Sequence, residues 1–245
     1  MSLRELVVAY FQYYAIQAYL LFAAISTYVA IAYPTTPFRA LAAVAVAIAA
    51  YPLAWYLLHR YVLHGQWMFK SPLTAKVWKR IHYDHHQDPN HLEILFGALY
   101  TTLPTIALVT IPVGYLIGGI GGGAAAFAAG LLMTCFYEFT HCIQHLSYKP
   151  KSPLLADMKA RHMAHHFHDE SGNFGITSFT WDKLFGTYYD RPERPAKSET
   201  VFNLGYTPEV AKIYPWVAHQ SGGVETSHPR RRGDNGRGED DRKAA

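Results

Sequence analysis

Ten of the chain's histidines fall into four short clusters. "HRYVLH" supplies His59 and His64, "HYDHH" supplies His82, His85 and His86, "HCIQH" supplies His141 and His145, and "HMAHH" supplies His162, His165 and His166. A pair followed by a His-x-x-His-His triplet therefore occurs twice. Neutral imidazole is the commonest metal-ligating side chain, and it suits zinc, copper, iron and nickel alike. On a helix, His141 and His145 stack on one face. The offsets in each triplet span only about 100° of helix circumference, so three rings can aim at a common volume. His59 and His64, five residues apart, need a bend or an unwinding to converge. The spacing predicts two metal ions, with each triplet completing the set begun by the pair before it. It does not identify the metal.

Two carboxylates accompany the histidines. Glu138 lies inside an apolar run, on the helix face of His141 and His145, and an acid so placed is read as functional. It is expected to hydrogen-bond a ligand histidine and fix its tautomer, direct ligation being the alternative. Asp182 is read as supporting a ligand histidine from behind. His91 and His168 are candidates for the same supporting role, whereas His219 and His228 are read as ordinary surface residues.

The elements that carry these residues are membrane helices. Half of the 245 residues are hydrophobic and 16% are charged, against roughly 25% in soluble domains. A mean hydropathy near zero averages two populations. Charges are absent from Leu6 to Phe38, from Ala40 to Leu58 and from Ile94 to Tyr137. A bilayer core needs about 20 apolar residues in a helix. The last run is too long for one span, and "GGIGGG" divides it, while Pro104 and Pro112 kink its first part or limit its insertion. The expected fold is an all-α integral membrane protein with spans at about 6–33, 38–58, 95–117 and 122–146, arranged as two hairpins. A helical dimetal domain is expected from 59–93 and 141–219, and together these make one domain over residues 1–219. A soluble bundle would not carry three uncharged runs of this length.

Arg60, Lys70, Lys76, Lys79 and Arg80 follow the second span, and Lys149, Lys151, Lys159 and Arg161 follow the fourth, whereas Arg39 alone marks the opposite side. The positive-inside rule then places the histidines and both termini in the cytoplasm, at a bacterial inner membrane or the endoplasmic reticulum. No cleavable signal peptide is evident. The net charge of +4 gives no case for nucleic acid, and 220–245, mixing both signs with glycine, reads as a disordered tail. Cys135 and Cys142, roughly 10 Å apart on one helix, are too distant for a disulfide. Trp55, Tyr56 and Tyr137 at span ends read as interface anchors, the alternative being that they line a substrate entrance.

"LLHRYVLHG", "IHYDHH", "YEFTHCIQH" and "HMAHHFHDESGNFGITSFTWDKLFGTYY" occur in this order. At these residues, over roughly 53–189, the chain resembles the fatty acid hydroxylase/sterol desaturase superfamily, most nearly its fatty acid 2-hydroxylase branch. The resemblance implies that all ten histidines ligate two iron ions. It implies a centre that uses O2 to insert one oxygen atom into a C–H bond of a lipid acyl chain near the carboxyl end. Zinc in such a site would be a stand-in, having no redox chemistry. The resemblance also implies that Asn173, Phe174, Gly175, Trp181 and Asp182 build a segment capping the site. Two departures stand out. The branch usually has Asp where this chain has Glu138. Nothing before Leu6 could be a fused cytochrome b5, so electrons are expected from a separate protein, cytochrome b5-like or ferredoxin-like with its reductase.

Three other readings stay open. A sterol, carotenoid or other lipid could be the substrate of a hydroxylase, oxidase or desaturase of the same superfamily. A membrane haem protein would need about four axial histidines rather than ten. A metal transporter would place its ligands near the bilayer midplane, whereas these gather at one face.

Overall fold

The computed structural model describes residues 1–190 and 195–224, all of them helical or irregular, with no strand among the described residues. The first helix, α1 (Leu3–Gln12), starts on a reciprocal cap. Ser2 Oγ accepts from the Glu5 N–H at 3.2 Å, and the Glu5 carboxylate accepts from the Ser2 N–H at 2.7 Å. The backbone leaves the helix at Tyr13 and resumes as α2 (Tyr14–Ala32). The apolar stretch 6–33 is therefore broken rather than continuous. The break lets the Tyr13 ring stack on Phe96 at 4.1 Å, with its hydroxyl donating to the Glu93 carbonyl at 3.3 Å.

Thr36 caps α3 (Pro37–Leu57), with proline at the helix start where no N–H partner is needed. This helix runs without interruption into a π-helical turn, Leu58–Leu63. Short elements follow: α4 (Pro72–Trp78), a second π-helical turn (Lys79–Tyr83), α5 (Asp84–Gln87) and α6 (Leu92–Leu95). The long α7 (Leu99–His145) precedes α8 (Pro153–Phe167), α9 (Thr180–Leu184), α10 (Pro208–Ile213) and α11 (Trp216–Ser221). Gln220 and Ser221 close α11; the tail beyond 224 lies outside the described residues.

The helix α7 is two antiparallel limbs. Gly118 and Gly119 leave helical geometry, Gly119 at φ 63°, a conformation that favours glycine. The limbs then close on small residues. A Cβ on Gly114 would lie 2.5 Å from the Ala126 Cβ, and one on Gly130 would lie 2.8 Å from Thr110. Both α2 and α3 pack along this folded helix. Three helical stretches, Tyr14–Ala32, Pro37–Leu63 and Leu92–His145, are long and apolar enough to cross a membrane. Their outward side chains fit a lipid solvent: Ile31 is 72% and Leu116 85% exposed.

The two packing surfaces of α7 differ. Against α1 and α2 it buries large side chains, among them Leu6, Tyr10, Ile16, Tyr19 and Leu131. Against α3 the buried apolar cluster is built of small residues, Ala126 and Ala129 on Ala43 and Ala47. Small residues let the helices touch there and leave space on either side. A second core lies away from the spans, where Phe69, Trp78, Tyr83, Leu204 and Tyr206 pack together. It ties the π-helical segment to the C-terminal residues.

Candidate metal centre

All ten histidines converge. Nine are buried and His64 is half-buried. His59 sits in the first π-helical turn, and the His64 N–H donates to the His59 carbonyl at 3.0 Å, closing an i to i+5 ring. The π-helical turn is wound less tightly than an α-helix and brings residues five apart onto one face, so the irregular pair converges through the local unwinding its spacing calls for. The Nε2 atoms of His59 and His64 are 3.2 Å apart, and those of His64 and His82 are 2.8 Å apart. The second π-helical turn carries His82 and delivers His85 and His86 into α5. His141 and His145 end α7, and His162, His165 and His166 end α8.

The sets exchange members between the two halves, contrary to the simple pairing of each triplet with its preceding pair. His59, His64, His82 and His165 form one group of mutually close ligand atoms, and His85, His141, His145, His162 and His166 form the other. His86 lies with His165 and His166 between them. The cause is helical. On α8, His162 and His166 share a face with their Nε2 atoms 3.1 Å apart, while His165 points aside. His85 does the same in the first triplet, meeting the His141, His145 and His166 rings at centroid distances of 4.9, 4.6 and 4.6 Å.

The donors fit mid-row metal ions. Each set is nitrogen only, without carboxylate or thiolate, which excludes a calcium or magnesium site. The Nε2 atom of His162 lies 3.2, 2.6 and 3.1 Å from those of His141, His145 and His166. Two nitrogens each roughly 2.1 Å from one ion stand about 3 Å apart at right angles. Both ring nitrogens of His85, and Nε2 of His165, are buried with no hydrogen-bond partner among the described residues. Burial pushes the imidazolium forms of His64, His82, His85, His162, His165 and His166 well below the usual histidine range, and neighbouring imidazoles push the same way. The rings are neutral, as ligation requires.

Backbone carbonyls set the tautomers. His59 Nδ1 donates to the Phe174 carbonyl at 2.7 Å, His165 Nδ1 to the Gly172 carbonyl at 2.8 Å, and His86 Nδ1 to the Val201 carbonyl at 3.0 Å. Each leaves Nε2 facing the centre. One short loop thus orients two ligands of the first set. Its shape comes from Asn173, at φ 55°, whose amide exchanges two hydrogen bonds with the Tyr189 backbone at 3.0 and 3.1 Å. Gly172 packs so closely that a Cβ would lie 2.4 Å from the Thr187 carbonyl oxygen.

Asp182 is fully buried and touches no histidine. Its carboxylate accepts from the Phe174 N–H at 2.8 Å, the Gly175 N–H at 2.9 Å and the Thr187 hydroxyl at 2.8 Å. It therefore holds the loop that holds His59. Burial raises its pKa, and those hydrogen bonds work against the rise. Glu138 is also buried. One oxygen accepts from the Gly97 N–H at 3.2 Å and the other stands 4.0 Å from His141 Nδ1, beyond hydrogen-bond length. His168 donates to the Pro195 carbonyl at 2.7 Å, outside both sets, while His91 and His219 are exposed. His228 lies outside the described residues. The carbonyls of Gly172 and Val201 carried no signal in the sequence, because any residue supplies a carbonyl.

A cavity of about 270 Å³ opens beneath the histidines between α3 and the limbs of α7. His59, His82, His85, His141 and His162 form its head, and Ala43, Ala47, Val109, Val113 and Ala126 lie towards its far end. Trp55 and Tyr137, 4.7 Å apart, line it rather than serving only as anchors. Tyr56 turns away to stack on Phe185 at 5.4 Å.

Residues 44–187 match the family model described as fatty acid hydroxylase. This chain belongs to the fatty acid hydroxylase family. The hydroxylase-family chain is 30% identical over 179 residues to fatty acid 2-hydroxylase of Macaca fascicularis, covering 71% of itself and 46% of that protein. It is 33% identical over 136 residues to a dihydroceramide fatty acyl 2-hydroxylase of Arabidopsis thaliana, covering 54% of each. It spans about half the length of these curated relatives. Among solved structures it is similar to full-length Scs7p with only its hydroxylase domain visible. The TM-score is 0.62 and the identity 26%, covering 75% of this chain and 68% of that one.

Proposed function

We propose that this protein is a membrane-bound non-haem di-iron oxygenase that hydroxylates a lipid acyl chain near its carboxyl end. The observation that carries this reading is the pair of nitrogen-only sets at the head of an apolar cavity. The relatives' names, fatty acid 2-hydroxylase and dihydroceramide fatty acyl 2-hydroxylase, point to the same substrate class. Iron suits both the donor set and the demand for redox chemistry.

In this reading α2, α3 and the two limbs of α7 make four membrane passes, with the histidines and both termini on the basic, cytoplasmic side. The acyl chain reaches the cavity from the bilayer and lies between α3 and α7. Ala43 and Ala47 give it room, Trp55 and Tyr137 grip it one helical turn short of His59 and His141, and the apolar walls exclude water. Bound iron would supply the activation of O2 and the insertion of one oxygen atom into the C–H bond. The chain's own part is positional. The loop at Gly172–Gly175 fixes the tautomers of His59 and His165 and aims them inward, Asp182 holds that loop, and Glu138, tied to the Gly97 N–H, stands 4.0 Å behind His141 Nδ1. Electrons come from a cytochrome b5-like or ferredoxin-like donor with its reductase.

Expression in a host with a competent electron donor, followed by lipid mass spectrometry, tests the reading. The wild type should yield new hydroxylated acyl chains and His165→Ala should not. Anaerobic purification should give two irons per chain. Identical lipid profiles with and without the wild type would overturn the reading.

A further inference from the structure

Residues 195–206 run past the family-matched region and cross the outside of the metal centre. This segment touches both metal-bearing halves. On the side of the second triplet, the Ser198 N–H donates to the His168 carbonyl at 2.8 Å, the His168 ring donates to the Pro195 carbonyl at 2.7 Å, and the Thr200 hydroxyl donates to the Glu170 carboxylate at 2.6 Å. On the side of the first triplet, two successive residues meet two successive carbonyls. His86 Nδ1 donates to the Val201 carbonyl at 3.0 Å, and the Gln87 side-chain amide donates to the Phe202 carbonyl. Leu204 and Tyr206 then anchor the segment in the core around Phe69, Trp78 and Tyr83. The turn that reverses it holds Leu204 at φ 55°, a left-handed conformation that a branched residue adopts at a cost. The Leu204 N–H bond to the Thr200 carbonyl at 2.7 Å and the burial of the Leu204 side chain keep it there.

We infer that residues 195–206 are a clasp that locks the two metal-bearing segments against each other, closed on one side by Gln87 and on the other by Thr200. The inference rests on the metal reading above and adds to it a structural reason for metal retention. Without the clasp, His86 loses the acceptor that fixes its tautomer, and α5 and α8 keep their histidine ring contacts and shared ions but lose the backbone tie between them. Gln87 and Thr200 are positioning residues, and neither belongs to the ligand sets. The segment bridges the two sides only while both hold it, so loosening either contact weakens the same bridge and the two act as one device.

The test is iron release from the full chain in detergent, loaded with two equivalents of iron(II) under anaerobic conditions and challenged with EDTA. Gln87→Leu and Thr200→Val should each release iron about tenfold faster than wild type or more, the range seen when partners of metal ligands are removed. Far-UV circular dichroism should be unchanged, and Thr200→Val carries the test if Gln87→Leu does not fold. The double variant should release iron no faster than the faster single one, because a clasp opened once has nothing more to lose. Wild-type release rates in both single variants would overturn the clasp, as would effects that multiply in the double variant. A wild-type chain that holds no iron would instead overturn the proposed function, and the clasp with it.

Discussion

His59 and His165 owe their orientation to the carbonyls of a short loop, and that loop hangs on Asp182 and Asn173. Asp182→Asn keeps the shape but turns an amide N–H2 towards N–H donors. It should weaken metal binding by about tenfold or more, read as a shifted midpoint in a metal titration, with helicity retained. Asn173→Ala removes two hydrogen bonds and leaves an alanine at positive φ, costing about 2 kcal/mol or more in unfolding experiments. The acid limit follows from the histidines themselves. Their folded pKa values lie below the unfolded value of about 6.5, so the unfolded chain binds more protons as the pH falls. The contribution of these rings to stability is present above about 6.5 and is lost below it. Thermal melts in detergent between pH 8 and pH 5 should show a falling midpoint, and a flat profile would contradict the buried neutral rings.

Helical geometry decides which rings meet. Inserting an alanine after Val62 would set His64 six residues from His59, swing it away by roughly 100° and shift it by one residue's rise. Bound iron should then drop from two ions per chain to one, because the set of His85, His141, His145, His162 and His166 contains neither residue. At the far end of α7, close packing rests on residues without bulk. Gly114→Leu would drive a side chain into Ala126 and the Gly122 backbone, part the two limbs, and lower both stability and metal content together.

Across the whole molecule, the exchange of His85 and His165 makes each metal set depend on both halves of the chain. His85→Ala should impair the set built mostly from the second half, and His165→Ala the set built mostly from the first. Metal-edge spectroscopy on singly depleted variants distinguishes the two outcomes. The cavity lies where α3 meets α7 through alanines, so bulk added there should act on substrate rather than metal. Ala47→Leu should keep two irons per chain and raise the KM for long acyl substrates several-fold.

The ten clustered histidines, the long apolar helices and the break at Gly118–Gly119 were legible in the sequence, because residue type and local spacing express them directly, whereas the break at Tyr13 was not. The irregular His59–His64 spacing even signalled that an ordinary helical turn would not serve. What the sequence could not supply was the partition of the histidines, since His85 and His165 join sets whose other members are mostly distant in the chain. Nor could it show that Asp182 grips a loop rather than a histidine, or that the Gly172, Phe174 and Val201 carbonyls fix the tautomers. Those contacts depend on where the backbone passes, and every residue carries the same carbonyl. Side-chain chemistry was written locally; the choice among equivalent partners was made only when the chain closed on itself.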